Sequence, residues 1–99
     1  MSTNMPAYLL VDIQVQDPEA YKEYLVKVPP LVEKHGGTYK ARGGSPKTLE
    51  GNWQPSRLVL LEFPNRESAE AFLEDPEYQP IRQIRLETTH SNMVVFDGA

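Results

Sequence analysis

The chain of 99 residues contains no cysteine. Disulfide bonds, thiolate metal sites and a cysteine nucleophile are therefore excluded. Histidine is also scarce: His35 and His90 stand far apart and lack the spacing of a metal-ligand cluster. We therefore expect neither a metal nor a cofactor.

Long apolar stretches and basic clusters are absent as well. No run approaches the roughly 20 apolar residues of a membrane-spanning helix, and no basic-then-apolar leader is visible. The net charge is −4, and the lysines and arginines are scattered along the chain. Because nucleic acids and anionic membranes select basic surfaces, we expect neither as a partner. A cytoplasmic location fits this composition.

The remaining composition is that of one small globular domain. Hydrophobic residues make up 39% of the chain and charged residues 24%, which is ordinary for a soluble protein. A chain of this length can build a single hydrophobic core. We predict one domain over residues 1–99, in which residues 1–5 form a flexible N-terminal extension.

Four segments have the β-branched and aliphatic content of strands. They cover residues 8–15, 38–42, 57–63 and 89–96. The Gly43-Gly44 pair predicts a bulge or bend after the second strand, and residues 47–50 are expected to resume an extended path.

Helices are predicted in the two long intervals between strands. Asp17-Pro18-Glu19 is a typical helix start, with a capping carboxylate, a proline in the first turn and a glutamate beside the positive helix end. Because Pro29 and Pro30 cannot continue the hydrogen-bond ladder, we expect a break near Val28, a short second helical piece and a glycine cap at Gly36-Gly37. Asn65 is expected to cap a helix that ends near residue 74, and Asp75-Pro76-Glu77 to begin another.

The resulting order βαββαβ predicts an α+β fold of the ferredoxin-like type, a four-stranded antiparallel sheet with its helices on one face. The other face would expose Tyr8, Leu10, Leu58 and Leu60 if the side chains alternate. Such an apolar patch is unusually large for a monomer. We therefore predict a homodimer in which two sheets face each other as an α/β barrel.

Several strings in the chain support this interpretation by resemblance. They are PAYLLVDIQVQDPEAYKEY, GGTYKARGG, LEGNWQPSRLVLLEFPNRESAEAF and DPEYQPIRQIR. They resemble the family called domain of unknown function 1330, which is similar to the dimeric α/β-barrel group of cofactor-free oxygenases, muconolactone-type isomerases, haem-degrading enzymes and binding proteins. The resemblance implies the fold and the dimer, and it assigns no catalytic residue.

Two carboxylates are the candidates for proton transfer. Asp12 and Glu62 fall on the same inferred sheet face, amid apolar residues that would raise the pKa of a carboxyl group. The alternative is that each forms a structural ion pair or points to solvent.

Three arginines are the candidates for holding an anionic ligand: Arg42, Arg57 and Arg85. A guanidinium group grips a carboxylate with two parallel hydrogen bonds, and Gly43 would let a ligand approach the backbone beside Arg42. Arg42 is further predicted to lie near Glu62 as an anion clamp beside a proton-transfer group. The alternative role is a salt bridge to a glutamate or to the partner chain.

Three aromatic residues are predicted to line a pocket for a flat substrate: Tyr39, Trp53 and Tyr78. Trp53 stands in a connection over residues 42–57 that is far longer than a hairpin requires. The alternative is that these side chains anchor the core or the dimer interface.

Two classes of function follow from these candidates. One is a cofactor-independent isomerase, lactone-processing enzyme or oxygenase acting on a small anionic, partly apolar metabolite. The other is a non-catalytic binding or structural protein of the same fold.

Overall fold

The computed structural model describes residues 5–99, so most of the predicted N-terminal extension lies outside the described residues. The elements follow the predicted order, with the second helical interval divided into two helices. They are β1 (Ala7–Val15), α1 (Pro18–Lys34), β2 (Thr38–Gly43), β3 (Leu58–Phe63), α2 (Arg66–Glu74), α3 (Tyr78–Thr88) and β4 (Thr89–Asp97).

The four strands form one sheet in the order β2-β3-β1-β4. All neighbouring strands are antiparallel. This arrangement confirms the predicted ferredoxin-like α+β fold. In the single chain the sheet is open, with β2 and β4 at its edges and β1 paired on both sides.

The hydrophobic core lies between one sheet face and the helices. Alternate residues of β1 and β3 turn toward the helices, and their side chains are almost fully buried. Aromatic residues of the three helices and the apolar stripe of α1 cover them. The buried cluster comprises Leu9, Val11, Ile13, Tyr21, Tyr24, Val28, Leu31, Val32, Val59, Leu61, Phe63, Ala69, Phe72 and Tyr78.

Helix α1 begins as predicted but is not interrupted. The Asp17 side chain accepts a hydrogen bond of 3.2 Å from the backbone N–H of Ala20. The predicted break at Pro29-Pro30 is wrong, since both prolines lie inside a continuous helix. They deprive the carbonyls of Leu25 and Val26 of their helical donors, and the side chains of these two residues are exposed. Water can therefore hydrate this face, while the buried stripe holds the helix against the sheet.

The structure of β2 and of the segment after it agrees with the prediction in part. A bulge lies within β2, between Tyr39 and Ala41, and the glycine pair provides the bend that was the other predicted possibility. Gly43 and Gly44 have φ angles of 85° and 77°, which turn the chain out of the sheet at the end of β2. The predicted extended stretch over residues 47–50 is not a strand.

A buried carboxylate joins the end of α1 to the junction between α2 and α3. Asp75 accepts hydrogen bonds from Lys34 Nζ at 2.9 Å, His35 Nε2 at 2.8 Å and the Glu77 backbone N–H at 2.9 Å. The hydrogen bond from His35, followed by that from Lys34, holds the pKa of Asp75 well below its usual range.

Asp75 is therefore expected to make stability depend on acid. A carboxylate with a lowered pKa stabilises the fold above its ordinary value of 3.8, and this contribution disappears as the pH falls toward the lowered pKa. Asp75→Asn should lower stability at neutral pH. The difference from the native protein should shrink below about pH 4, because Asp75 is protonated first in the unfolded chain.

Urea unfolding between neutral pH and about pH 3 would measure this difference. Glu74→Gln removes an exposed neighbouring carboxylate and should leave the pH dependence unchanged. A stability difference between the native protein and Asp75→Asn that stayed constant across this range would contradict the assignment.

Candidate functional site

The irregular pairing of β2 brings two candidate residues to the same face of the sheet. Tyr39 and Arg42 are three positions apart, so regular alternation would turn them to opposite faces. One extra residue on β2 resets the alternation: Tyr39 pairs with Leu61 and Arg42 with Val59, both buried on the helix-covered face. The Arg42 guanidinium consequently lies over the Tyr39 ring, 4.0 Å from its centroid.

Both residues line a cavity between this face of the sheet and α1. The enclosed space is about 40 Å³, room for a few water molecules. Its walls are mostly aliphatic and aromatic. The lining residues are Leu9, Val11, Ile13, Tyr21, Tyr24, Leu25, Val28, Tyr39, Arg42, Arg57, Val59, Leu61, Phe72, Tyr78 and Met93.

The charged lining of the cavity is entirely cationic. Arg42 and Arg57 contribute guanidinium groups, and no Asp or Glu side chain of residues 5–99 lines the cavity. The Nε atom of Arg57 is buried and has no hydrogen-bond partner in this part of the chain. Gly43, at a φ of 85°, stands beside this group: a Cβ there would lie 3.5 Å from Arg57 Cζ. The cavity is thus suited to an anion.

Tyrosine hydroxyls supply the other polar groups of the lining. The rings of Tyr21 and Tyr24 stack with centroids 5.5 Å apart, and the Tyr24 hydroxyl lies 3.0 Å from that of Tyr78. Burial raises the pKa of Tyr21 and of Tyr24, which keeps both hydroxyls neutral. They can donate hydrogen bonds to a ligand but are poor bases.

Sequence reasoning missed Tyr21 and Tyr24 as site residues. Their helical spacing assigned them to the core stripe of α1, which is also where they pack. The available signal was the presence of two hydroxyl-bearing rings in an otherwise aliphatic stripe.

The two candidate carboxylates lie on the opposite face of the sheet. Asp12 accepts a hydrogen bond of 2.9 Å from Trp53 Nε1. Glu62 accepts one of 3.0 Å from the Tyr8 hydroxyl and lies 3.4 Å from Lys40 Nζ. The hydrogen bond to Glu62 raises the pKa of Tyr8.

The predicted clamp of Arg42 with Glu62 is therefore wrong, because the pleat turns these side chains to opposite faces. A catalytic role for Asp12 or Glu62 stays a prediction. It would require a site on the open face of the sheet.

The remaining candidates divide between the two faces. Tyr78 is fully buried in the cavity wall. Arg85 is buried beyond the cavity lining and donates a hydrogen bond to the Ser91 hydroxyl. Trp53 lies across the sheet, on the open face.

Comparison with known proteins connects this arrangement to a family. The model of the family described as domain of unknown function (DUF1330) matches residues 6–99. The chain belongs to the DUF1330 family. The comparison with curated proteins found no match.

Solved structures share the fold of this DUF1330 protein at low sequence identity. A protein of unknown function from Rhodopseudomonas palustris is 18% identical, with a TM-score of 0.80 over 98% of this chain and 85% of that one. A conserved protein of unknown function from Bacteroides thetaiotaomicron is 18% identical, with a TM-score of 0.63 over 96% and 99% of the two chains. SnoaB, a cofactor-independent oxygenase from Streptomyces nogalater, is 10% identical, with a TM-score of 0.62 over 98% and 95%.

Within residues 5–99, the helices lack the length and the apolar character that a membrane-spanning segment needs. No group of three His, Asp or Glu side chains there could hold a metal ion.

The long connection between β2 and β3 lies over the open face of the sheet. Trp53 is 55% exposed and borders a depression with Leu10, Asp12, Asn92 and Val94. Its hydrogen bond to Asp12 ties the connection to the central strand β1.

We expect Asp12→Ala to release Trp53. The indole would lose its acceptor, so Trp emission should shift to longer wavelength and acrylamide should quench it more strongly. The cost in stability should be about 1 kcal/mol or less, as for a hydrogen bond at an exposed site. Asp97→Ala is the matched control, because this exposed carboxylate pairs with Arg66 instead. Unchanged emission in Asp12→Ala would contradict the contact.

Proposed function

We propose that this DUF1330 protein binds a small, anionic, partly apolar metabolite in the cavity between α1 and the sheet. The observation that carries the proposal is the charge of the lining: guanidinium groups and neutral hydroxyls stand among apolar walls, without a carboxylate. Arginines that serve only the fold usually pair with acidic groups. Here an acidic ligand would fill that role, and its apolar part would contact Val11, Val59 and Met93.

Entry of such a ligand requires movement at the mouth, because the cavity is smaller than a typical metabolite. Arg42 and Leu25 are the exposed members of the lining. The contact of Arg42 with the Tyr39 ring is worth about 0.5–1 kcal/mol at an exposed site. A ligand carboxylate could therefore draw the guanidinium away from the ring at little cost.

Catalysis of a cofactor-independent oxygenation or isomerisation is the finer form of this proposal. The fold similarity to SnoaB favours oxygenation as a class, although fold alone does not determine chemistry. A second candidate is non-catalytic binding. Non-catalytic binding is favoured because the raised pKa values of the cavity tyrosines keep their hydroxyls protonated at neutral pH. A protonated hydroxyl cannot act as a general base.

We further propose that the chain forms a homodimer through the open face of the sheet, with the cytoplasm as its location. This face carries Leu10, Leu58 and Leu60 along the centre, and Val94 and Phe96 are 55% and 43% exposed. A second copy would cover these side chains, as well as Asp12 and Glu62. Any chemistry of the two carboxylates would then take place inside the barrel.

Arg42→Ala tests the ligand-binding proposal. Native mass spectrometry of the purified protein should detect a co-purified acid, and the variant should lose it. The melting temperature should fall by only a few degrees, because Arg42 is exposed and its contact with Tyr39 is weak.

Arg82→Ala is the control, since Arg82 is an exposed arginine outside the cavity lining. Retention of the acid by Arg42→Ala, or a large loss of stability without loss of the acid, would favour a structural role for Arg42.

Leu60→Asp tests the dimer. Light scattering should give twice the mass of one chain for the native protein and one chain mass for the variant, because the aspartate would be buried without a partner in the interface. Val26→Asp introduces the same charge at an exposed position of α1 and should leave the dimer intact. A native monomer, or a dimer unaffected by Leu60→Asp, would refute this interface.

A further inference from the structure

The hydroxyl groups of Tyr24 and Tyr78 form a buried pair in the wall of the cavity. Their oxygen atoms lie 3.0 Å apart, and the two residues are 8% and 0% exposed. Tyr24 belongs to α1, and Tyr78 is the first residue of α3. Both residues line the cavity, so a ligand inside it would meet this pair.

This pair has one proton that the protein leaves without an acceptor. Each tyrosine hydroxyl carries a single proton, which it can donate to one hydrogen bond. One of the two protons lies between the two oxygen atoms. The other has no acceptor among the side chains and backbone of residues 5–99. Because a buried donor without an acceptor is unfavourable, an acceptor oxygen of a ligand would stabilise the pair.

The guanidinium groups stand on a different part of the cavity wall. Arg42 belongs to the edge strand β2, and Arg57 immediately precedes the neighbouring strand β3. Helix α3 instead leads directly into β4, at the opposite edge of the sheet. The cavity therefore has cationic donors on the side of β2 and a neutral donor between α1 and α3.

An apolar floor runs from the arginines across the sheet. Arg42 pairs with Val59, and Val59 pairs with Val11. Met93 continues the row on β4 as the partner of Val11, and all four side chains line the cavity. Since neighbouring strands are about 4.8 Å apart, Val11 lies about 10 Å across the sheet from Arg42. A ligand that spans this floor needs an apolar body between two polar ends.

The two sets of donors select different oxygen atoms. The arginines suit a carboxylate, because a hydrogen bond between charged groups is roughly twice as strong as one between neutral groups. The hydroxyl pair offers a single neutral donor. A ketone oxygen matches this donor, since it accepts a hydrogen bond and brings no proton of its own.

We propose that the ligand of this cavity is a keto acid, whose carboxylate binds the two arginines and whose ketone oxygen accepts a hydrogen bond from the hydroxyl pair of Tyr24 and Tyr78. This inference rests on the proposed function and specifies its ligand class. The apolar body between the two groups would lie over Val59. Burial raises the pKa of Tyr24, so its proton stays available at neutral pH.

4-Acetylbenzoate and 4-isopropylbenzoate are matched probes for this preference. Both carry a carboxylate on a flat ring and end in groups of similar shape, but only the acetyl group accepts a hydrogen bond. Isothermal titration calorimetry should show that the native protein binds 4-acetylbenzoate about tenfold more tightly, a difference of about 1.4 kcal/mol, which is ordinary for one hydrogen bond.

The double variant Tyr24→Phe/Tyr78→Phe should bind both probes with equal affinity. Removing both partners of a buried hydrogen bond leaves no group unsatisfied, so this variant should fold. Tyr8→Phe is the matched control, because its hydroxyl binds Glu62 on the open face, and it should keep the preference. Arg57→Met should weaken the binding of both probes equally, because both carry the carboxylate.

Two results would overturn the keto-acid assignment: equal affinity of the native protein for the two probes, or a preference that survives in the double variant. In either case the proposed function stands if Arg57→Met still weakens the binding of both probes. If an acid co-purifies with the native protein but neither probe binds, the assignment likewise fails and the proposed function stands. Failure of both probes to bind, together with the absence of a co-purified acid, would reject both.

Discussion

The pleat of β1, paired on both sides, is the constraint on which the rest of the molecule depends. Because successive side chains alternate between faces, Leu9, Val11 and Ile13 build the core while Tyr8, Leu10 and Asp12 lie on the open side. The neighbouring strands are divided in the same way, because a residue paired with one of β1 presents its side chain on the same face as its partner. As a result, Arg42 and Arg57 lie on the helix-covered side of the sheet, and Asp12 and Glu62 lie on the other.

This separation of charge explains which parts of the site could be predicted from the sequence. The elements and their order follow from local signals such as strand composition and the capping residues Asp17 and Asn65. Arg42, Arg57 and Tyr39 were identifiable because their side-chain chemistry is informative without a partner. The separation of Arg42 from Glu62 was not predictable, since one extra residue in β2 reverses the face of the residues that follow it in that strand.

Sequence reasoning did not identify Tyr21 and Tyr24 as residues of the site. Both occupy positions that helical periodicity assigns to the core, and they are indeed buried. The wrong prediction of a helix break at Pro29-Pro30 has a similar cause. The loss of two backbone hydrogen bonds can be foreseen from the local sequence, whereas the packing of Val28, Leu31 and Val32 against the sheet depends on the tertiary fold.

The arrangement of the arginines also bears on how function and stability are balanced. A domain of this size has little apolar burial in reserve, yet it keeps two guanidinium groups with incompletely paired donors in its interior. Asp75 shows that the same fold can give a buried ionic group a full set of partners, from Lys34, His35 and the Glu77 backbone. The contrast supports the proposal that Arg57, which lines the cavity, pairs with a ligand. Residues that bind a ligand commonly carry such a cost.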